Sequence, residues 1–93
     1  MIKSFKSKEA ESLFSGRKAR RLPADVQKRA MHKLLLLNAA ASLDFLRVSP
    51  ANHLEALTGN RKGQHSIRIN DQWRICFVWK GGDAHDVEIV DYH

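Results

Sequence analysis

The chain ends on Asp91-Tyr92-His93, a carboxylate, a phenol and an imidazole in consecutive positions, each able to hold or move a proton. The preceding Asp86-Val87-Glu88-Ile89-Val90 alternates apolar residues, as a strand does. A strand ties down a chain end that would otherwise fray. The formal net charge is +6, with 16 Lys and Arg against 10 Asp and Glu. In so basic a chain, an ordered acid, phenol and imidazole suggest chemistry on a phosphodiester. Taken alone, the three residues read equally as a strand that happens to end in polar groups.

Further groups of the same kind lie upstream. His53 and Glu55 precede Leu57-Thr58-Gly59, and His65 follows the segment Asn60-Arg61-Lys62-Gly63. Two glycines flank two cations there, so a loop can bring backbone and positive charge close to a phosphate chain. Arg68 and Arg74 oppose in direction the apolar residues of their alternating stretches. If those stretches pair, both arginines project from one sheet face, where guanidinium forks bind oxyanions in two-point fashion. Two exposed arginines on a wet sheet face are the ordinary alternative. The histidines show no paired short spacing, so no metal site is expected. Cys76 is the only cysteine. It excludes an internal disulfide and a thiolate cage, and in Trp73-Arg74-Ile75-Cys76-Phe77-Val78-Trp79 it reads as a buried small hydrophobe.

These groups need elements to hold them. Residues 2 to 5 suit a short edge strand. Ser7 suits a helix cap before Lys8, with Ala10, Leu13 and Phe14 at helical spacing and Gly16 as the stop. Arg17-Lys18-Ala19-Arg20-Arg21 is a basic run, either a solvated linker or a contacting patch. Leu22-Pro23 opens a second helix that runs to about Ala41. Its stripe is Val26, Ala30, Leu34, Leu37 and Ala41, widened by Leu35 and Leu36, with Lys28, Arg29 and Lys33 on the wet face and His32 at the surface. Residues 42 to 50 read as a connection with its own apolar residues.

From Ser66 the period changes to two. Ile67 and Ile69 share a face, Asn70-Asp71-Gln72 makes a turn, and Trp73, Ile75, Phe77 and Trp79 share the core face of the next strand. Lys80-Gly81-Gly82-Asp83 is a hairpin turn. The expectation is an α+β domain over residues 1–93, helices first and an antiparallel meander second, with the helices on one sheet face.

With 43% hydrophobic and 28% charged residues the composition is globular rather than disordered. A pI near 9.9 attracts polyanions, which makes nucleic acid, an anionic membrane or an acidic protein the candidate partners, with a merely basic soluble domain as the plain alternative. The opening Met1-Ile2-Lys3-Ser4-Phe5-Lys6 lacks a secretion-signal core, and no apolar run approaches the roughly 18 residues that cross a bilayer. A cytoplasmic protein with no membrane association is expected.

The stretch from Leu57-Thr58-Gly59 through Asn60-Arg61-Lys62-Gly63-Gln64-His65-Ser66-Ile67-Arg68-Ile69-Asn70-Asp71-Gln72-Trp73-Arg74 to Phe77, with the Asp91-Tyr92-His93 ending, resembles the HigB-type toxins of bacterial toxin–antitoxin pairs. These belong to the RelE/ParE superfamily and are also called plasmid-maintenance killer proteins. The Met1-Ile2-Lys3-Ser4-Phe5 opening and the length match too, so the resemblance spans essentially the whole chain. It implies two N-terminal helices on a curved antiparallel sheet. It also implies a metal-independent endoribonuclease, without cofactor, that cuts messenger RNA on the ribosome by attack of a ribose 2′-hydroxyl on the adjacent phosphate.

The implied partners are a cognate helix-turn-helix antitoxin (HigA-like), the ribosome and messenger RNA, with DNA reached only through the antitoxin. Carried over, Asp91, Tyr92 and His93 are the active-site ending, and Arg74 of the Trp-Arg strand stabilises the transition state. Arg61, Lys62 and Arg68 hold RNA phosphates. Some relatives carry a catalytic histidine two residues before the Leu-x-Gly. This chain has Glu55 there and His53 two residues earlier. Either His53 shifts into place, Glu55 takes the role, or that function is absent. A non-enzymatic toxin of the gyrase-inhibiting branch and a basic nucleic-acid-binding domain are the competing readings.

Overall fold

A computed structural model describes residues 1–92 of the chain. Helix α1 (Lys8–Phe14) starts where Ser7 accepts the Ala10 amide on its hydroxyl, at 3.3 Å. Helix α2 (Ala24–Ala39) follows Pro23, whose fixed φ suits the entry to a helix. It buries Val26, Ala30, Leu34 and Leu37. Leu35 departs from the expected stripe and is half exposed, because it lies about 100° around the helix from Leu34. The helix also stops before Ala41: the Ala40 backbone turns extended, and Ala40 takes the buried place.

The segment read as a connection contains a third helix, α3 (Leu43–Val48), so the expectation of two helices is short by one. Ser42 caps it by accepting the Phe45 amide at 3.3 Å, and Leu46 is fully buried. Fewer than two helical turns are too short to show a period in the sequence, although the serine cap was readable. A 3₁₀ turn at Pro50–Asn52 leads to the sheet.

Four strands form one antiparallel meander in the order β1-β2-β3-β4: β1 (Glu55–Ala56), β2 (Gln64–Arg68), β3 (Trp73–Lys80) and β4 (Asp83–Asp91). In place of the expected edge strand at residues 2 to 5 there are two isolated parallel bridges, Ile2 to Ala84 and Phe5 to Val87. Ile67, Ile75, Phe77, Ala84, Val87 and Ile89 face the helices and pack with Leu34, Leu37 and Leu46. Fully burying each of the larger of these side chains contributes about 1.5–3 kcal/mol. This one-sided burial leaves the opposite sheet face uncovered by helices.

The β3–β4 ladder contains a bulge. His85 pairs with Val78 but Glu88 pairs with Cys76, so Asp86 and Val87 oppose the single residue Phe77. Asp86 absorbs the extra residue in a left-handed conformation, φ 51°. Because side-chain direction alternates with period two, the insertion resets the parity of everything after it. Val87 and Ile89 turn to the core, and Glu88, Val90 and Tyr92 turn to the open face.

Candidate active site

The open face is organised around Arg74. Its position on β3 is opposite in parity to Ile75 and Trp73, and it pairs in register with Arg68 and Val90. It is nevertheless only 8% exposed. Nε donates to the Ser66 hydroxyl at 2.8 Å, and Nη2 donates to the His53 carbonyl at 2.5 Å. Nη1 lies 3.7 Å from Glu55 Oε1. The Tyr92 ring stands 5.5 Å from the guanidinium carbon, in cation–π range. Two neutral acceptors thus fix the fork, while Nη1 is left for an oxyanion with a carboxylate next to it.

Of the two candidates before the Leu-x-Gly, Glu55 brings its side chain to Arg74, and His53 brings its backbone carbonyl. His53 sits in a left-handed conformation, φ 43°, and its side chain is exposed. Glu55 pairs with Ser66 across β1 and β2, which sets its direction toward the arginine. Ser66 itself is fully buried beneath the guanidinium.

The chain end divides. Tyr92 follows the parity of Glu88 and Val90 onto the Arg74 face, anchored by its amide donating to the Gln72 carbonyl at 2.6 Å. Asp91 pairs with Trp73, so its side chain leaves on the other side of the sheet rim, where Gln72 Nε2 donates to it at 3.1 Å. His93 lies outside the described residues.

The loop between β1 and β2 folds onto the same face. A 3₁₀ turn, Gly59–Arg61, is bounded by Gly59 and Gly63, both at positive φ. Glycine adopts such angles without the Cβ clash that other residues meet. Arg61 Nη1 donates to Gln64 Oε1 at 3.1 Å and to Glu88 Oε1 at 2.5 Å. The hydrogen bond to Glu88 chiefly holds the Arg61 guanidinium even more firmly protonated than usual. Lys62 remains exposed beside it. Cys76, fully buried as expected, lies on this face rather than in the helical core, and burial pushes its thiol pKa up.

Arg68 departs from the cluster. It forms an ion pair with Asp71 and lines an open cleft of about 730 Å³ with Ala24, Lys28, Lys33 and Ile69. His65 is on the core side, stacked on Phe77 with ring centres 6.2 Å apart. Among the described residues, no group of three or more His, Cys, Asp and Glu side chains is placed to hold a metal ion.

Strand parity located Arg74, and its place before Leu57-Thr58-Gly59 singled out Glu55, but three contributors were missed. Ser66 was readable as a neighbour of Arg74 once the turn at 70–72 fixed the register. Gln64 and Glu88 were not readable, because the partner of each depends on the loop and on the bulge.

The chain has relatives among known proteins. A family model described as the RelE-like toxin of the type II toxin–antitoxin system HigB matches residues 3–93. The chain is 40% identical over 85 residues to toxin HigB-1 of Vibrio cholerae serotype O1, covering 90% of each chain. It is 34% identical over 93 residues to endoribonuclease HigB of Proteus vulgaris, covering all of both. In fold it is similar to a chain of the YoeB–YefM complex from Staphylococcus aureus, with a TM-score of 0.60 at 17% identity over 100% of this chain and 98% of the other. A second structure, a heterotetrameric YoeB–YefM toxin–antitoxin complex from the same organism, gives 0.57 at 18% identity, with the same coverage.

Proposed function

The chain belongs to the HigB-like family of RelE-like toxins from type II toxin–antitoxin systems, and from that premise we propose that it is an endoribonuclease that cuts messenger RNA on the ribosome. The observation that carries the reading is the buried Arg74 fork on the open sheet face, with Glu55 on one side and Tyr92 on the other. In the reaction, a ribose 2′-hydroxyl attacks the adjacent phosphorus, and the 5′-oxygen of the next nucleotide leaves. A cyclic phosphate and a free 5′-hydroxyl result.

Arg74 Nη1 binds a non-bridging phosphate oxygen and stabilises the charge that grows on it. A fork fixed beforehand by Ser66 and His53 needs no reorganisation at that moment, and burial strengthens the interaction. Glu55 is the carboxylate nearest that seat and accepts the 2′-hydroxyl proton. The chain end supplies the proton for the leaving oxygen, with Tyr92 over Arg74 and His93 next in sequence. Arg61 and Lys62 hold the flanking RNA backbone. An acidic, helix-turn-helix antitoxin of the HigA type is the partner that neutralises the toxin, and the site of action is the cytoplasm.

Translating ribosomes carrying a defined messenger, incubated with the purified protein, test this reading. Cleavage with cyclic-phosphate and 5′-hydroxyl ends is expected from wild type, and Arg74→Ala should lose it by about a hundredfold or more. Intact messenger with folded wild-type protein refutes the nuclease reading. Growth arrest that persists in Arg74→Ala would point instead to a non-enzymatic toxin.

A further inference from the structure

Cys76 is fully buried on a face that no helix covers, and it lies within electrostatic reach of Arg61. Arg61 Nη1 bonds Gln64 on β2 and Glu88 on β4 at once. Those strands flank β3, Gln64 opposite Val78 and Glu88 opposite Cys76. Neighbouring strands are about 4.8 Å apart. A single nitrogen within bonding distance of side chains from both outer strands must therefore lie above β3. The arginine is a strap across the middle strand, and it carries the Gly59–Gly63 loop with it.

Glu88 is the strong end of this strap. Its side chain is 14% exposed and that of Arg61 is 31% exposed. A carboxylate so covered needs a cation partner. Both bonds fall on Nη1, which points the rest of the guanidinium, Nη2 with it, away from these partners. The carboxylate thereby holds the guanidinium over β3, within electrostatic reach of Tyr92.

We propose that Glu88 is a positioning residue for RNA binding: it holds Arg61 across β3 so that the outer donors of that arginine meet a phosphate flanking the cleaved bond. The proposal rests on the nuclease reading and deepens it. One consequence separates it from a merely structural ion pair. Removing Arg61 alone leaves an uncompensated carboxylate facing the incoming RNA backbone, so the single variant should bind RNA less well than the variant lacking both charges.

The experiment measures messenger cleavage against ribosome-bound RNA concentration, for wild type, Glu88→Gln, Glu88→Ala, Arg61→Ala and the Arg61→Ala/Glu88→Ala double variant. In parallel, the rate at which Cys76 reacts with an aromatic disulfide reagent reports the strap without any RNA. The expected result for Glu88→Ala is a half-saturating concentration raised about tenfold, with the saturated rate nearly unchanged. Glu88→Gln, which keeps the hydrogen bond but not the charge, should fall between. The double variant should bind RNA more tightly than Arg61→Ala, and Cys76 should react about tenfold faster in Glu88→Ala and less than that in Glu88→Gln.

Active wild type with unchanged half-saturation in both Glu88 variants overturns the proposal, whether or not the thiol becomes accessible. A double variant no better than Arg61→Ala also overturns it. Inactive wild type overturns the nuclease reading, and the positioning role falls with it, while the thiol rates still show whether Glu88 closes the strap.

Discussion

Replacing Arg74 by lysine separates the charge of this residue from its shape. Arg74 is 8% exposed and serves two fixed acceptors, the Ser66 hydroxyl at 2.8 Å and the His53 carbonyl at 2.5 Å, from different nitrogens. A lysine ammonium keeps the charge but has no fork, so it cannot meet both acceptors and still offer a pair of donors to phosphate. One buried acceptor left without its partner costs about 1–3 kcal/mol. For a chain of this size, each kcal/mol lowers Tm by about 4–8 °C, so Arg74→Lys should melt roughly 4–24 °C below wild type. The loss of a pre-aligned transition-state donor should slow cleavage by about a hundredfold, with half-saturation by RNA changed far less because the charge remains. The assay is single-turnover cleavage of a defined messenger on ribosomes, at saturating RNA, with melting followed by circular dichroism. A lysine variant that cleaves within about threefold of wild type would refute the argument, since charge alone would then suffice.

Three other outcomes follow from separate parts of the fold. Ser66→Ala removes the Nε acceptor but leaves the His53 carbonyl, so about a tenfold loss of cleavage is expected, with a fall in Tm of several degrees; unchanged cleavage in a folded variant would show that Ser66 does not orient the fork. Burial raises the Cys76 thiol pKa above that of the unfolded chain, so its stability contribution is complete below the ordinary thiol range and is lost as pH rises through the raised value. Denaturant titrations of wild type and Cys76→Ala should therefore converge on the alkaline side, and a constant difference would contradict this. Asp86 holds a left-handed conformation at the bulge, so Asp86→Val should lower stability by about 1–2 kcal/mol while Asp86→Gly stays near wild type. Equal melting of the two variants would remove the bulge from the argument.

The pairing of β2 with β3 was legible because their core-facing apolar residues alternate. Ile67, Trp73, Ile75, Phe77 and Trp79 announce one face, and the turns at 70–72 and 81–82 fix how the strands meet. Arg74 could be located from that alone. What parity cannot give is burial on the far face. Arg74 looked like a wet arginine because the residues that cover it, Tyr92 and the His53–Glu55 segment, reach it through tertiary contacts. Arg68 shows the same limit from the other side: equal in parity to Arg74, it turns to Asp71 at the sheet edge, where a local acid outcompetes a distant cluster. The short helix α3 was lost for a different reason, since six residues hold too few turns to establish a period.

The bulge at Asp86 decides which side chains share the site. Counted without it, strict alternation from the buried Ala84 would turn Glu88, Val90 and Tyr92 to the core and Val87 and Ile89 to solvent. No core would accept that exchange, because it would bury a carboxylate and expose two large aliphatic side chains. The hydrophobic pattern of β4 is therefore consistent only with one extra residue, and Asp86 is where the backbone accepts it. The same insertion that lets Val87 and Ile89 complete the core sets Glu88 against Arg61 and Tyr92 against Arg74. Core packing and the assembly of the open face are thus a single constraint on this strand, and neither is satisfied without the strained residue between them.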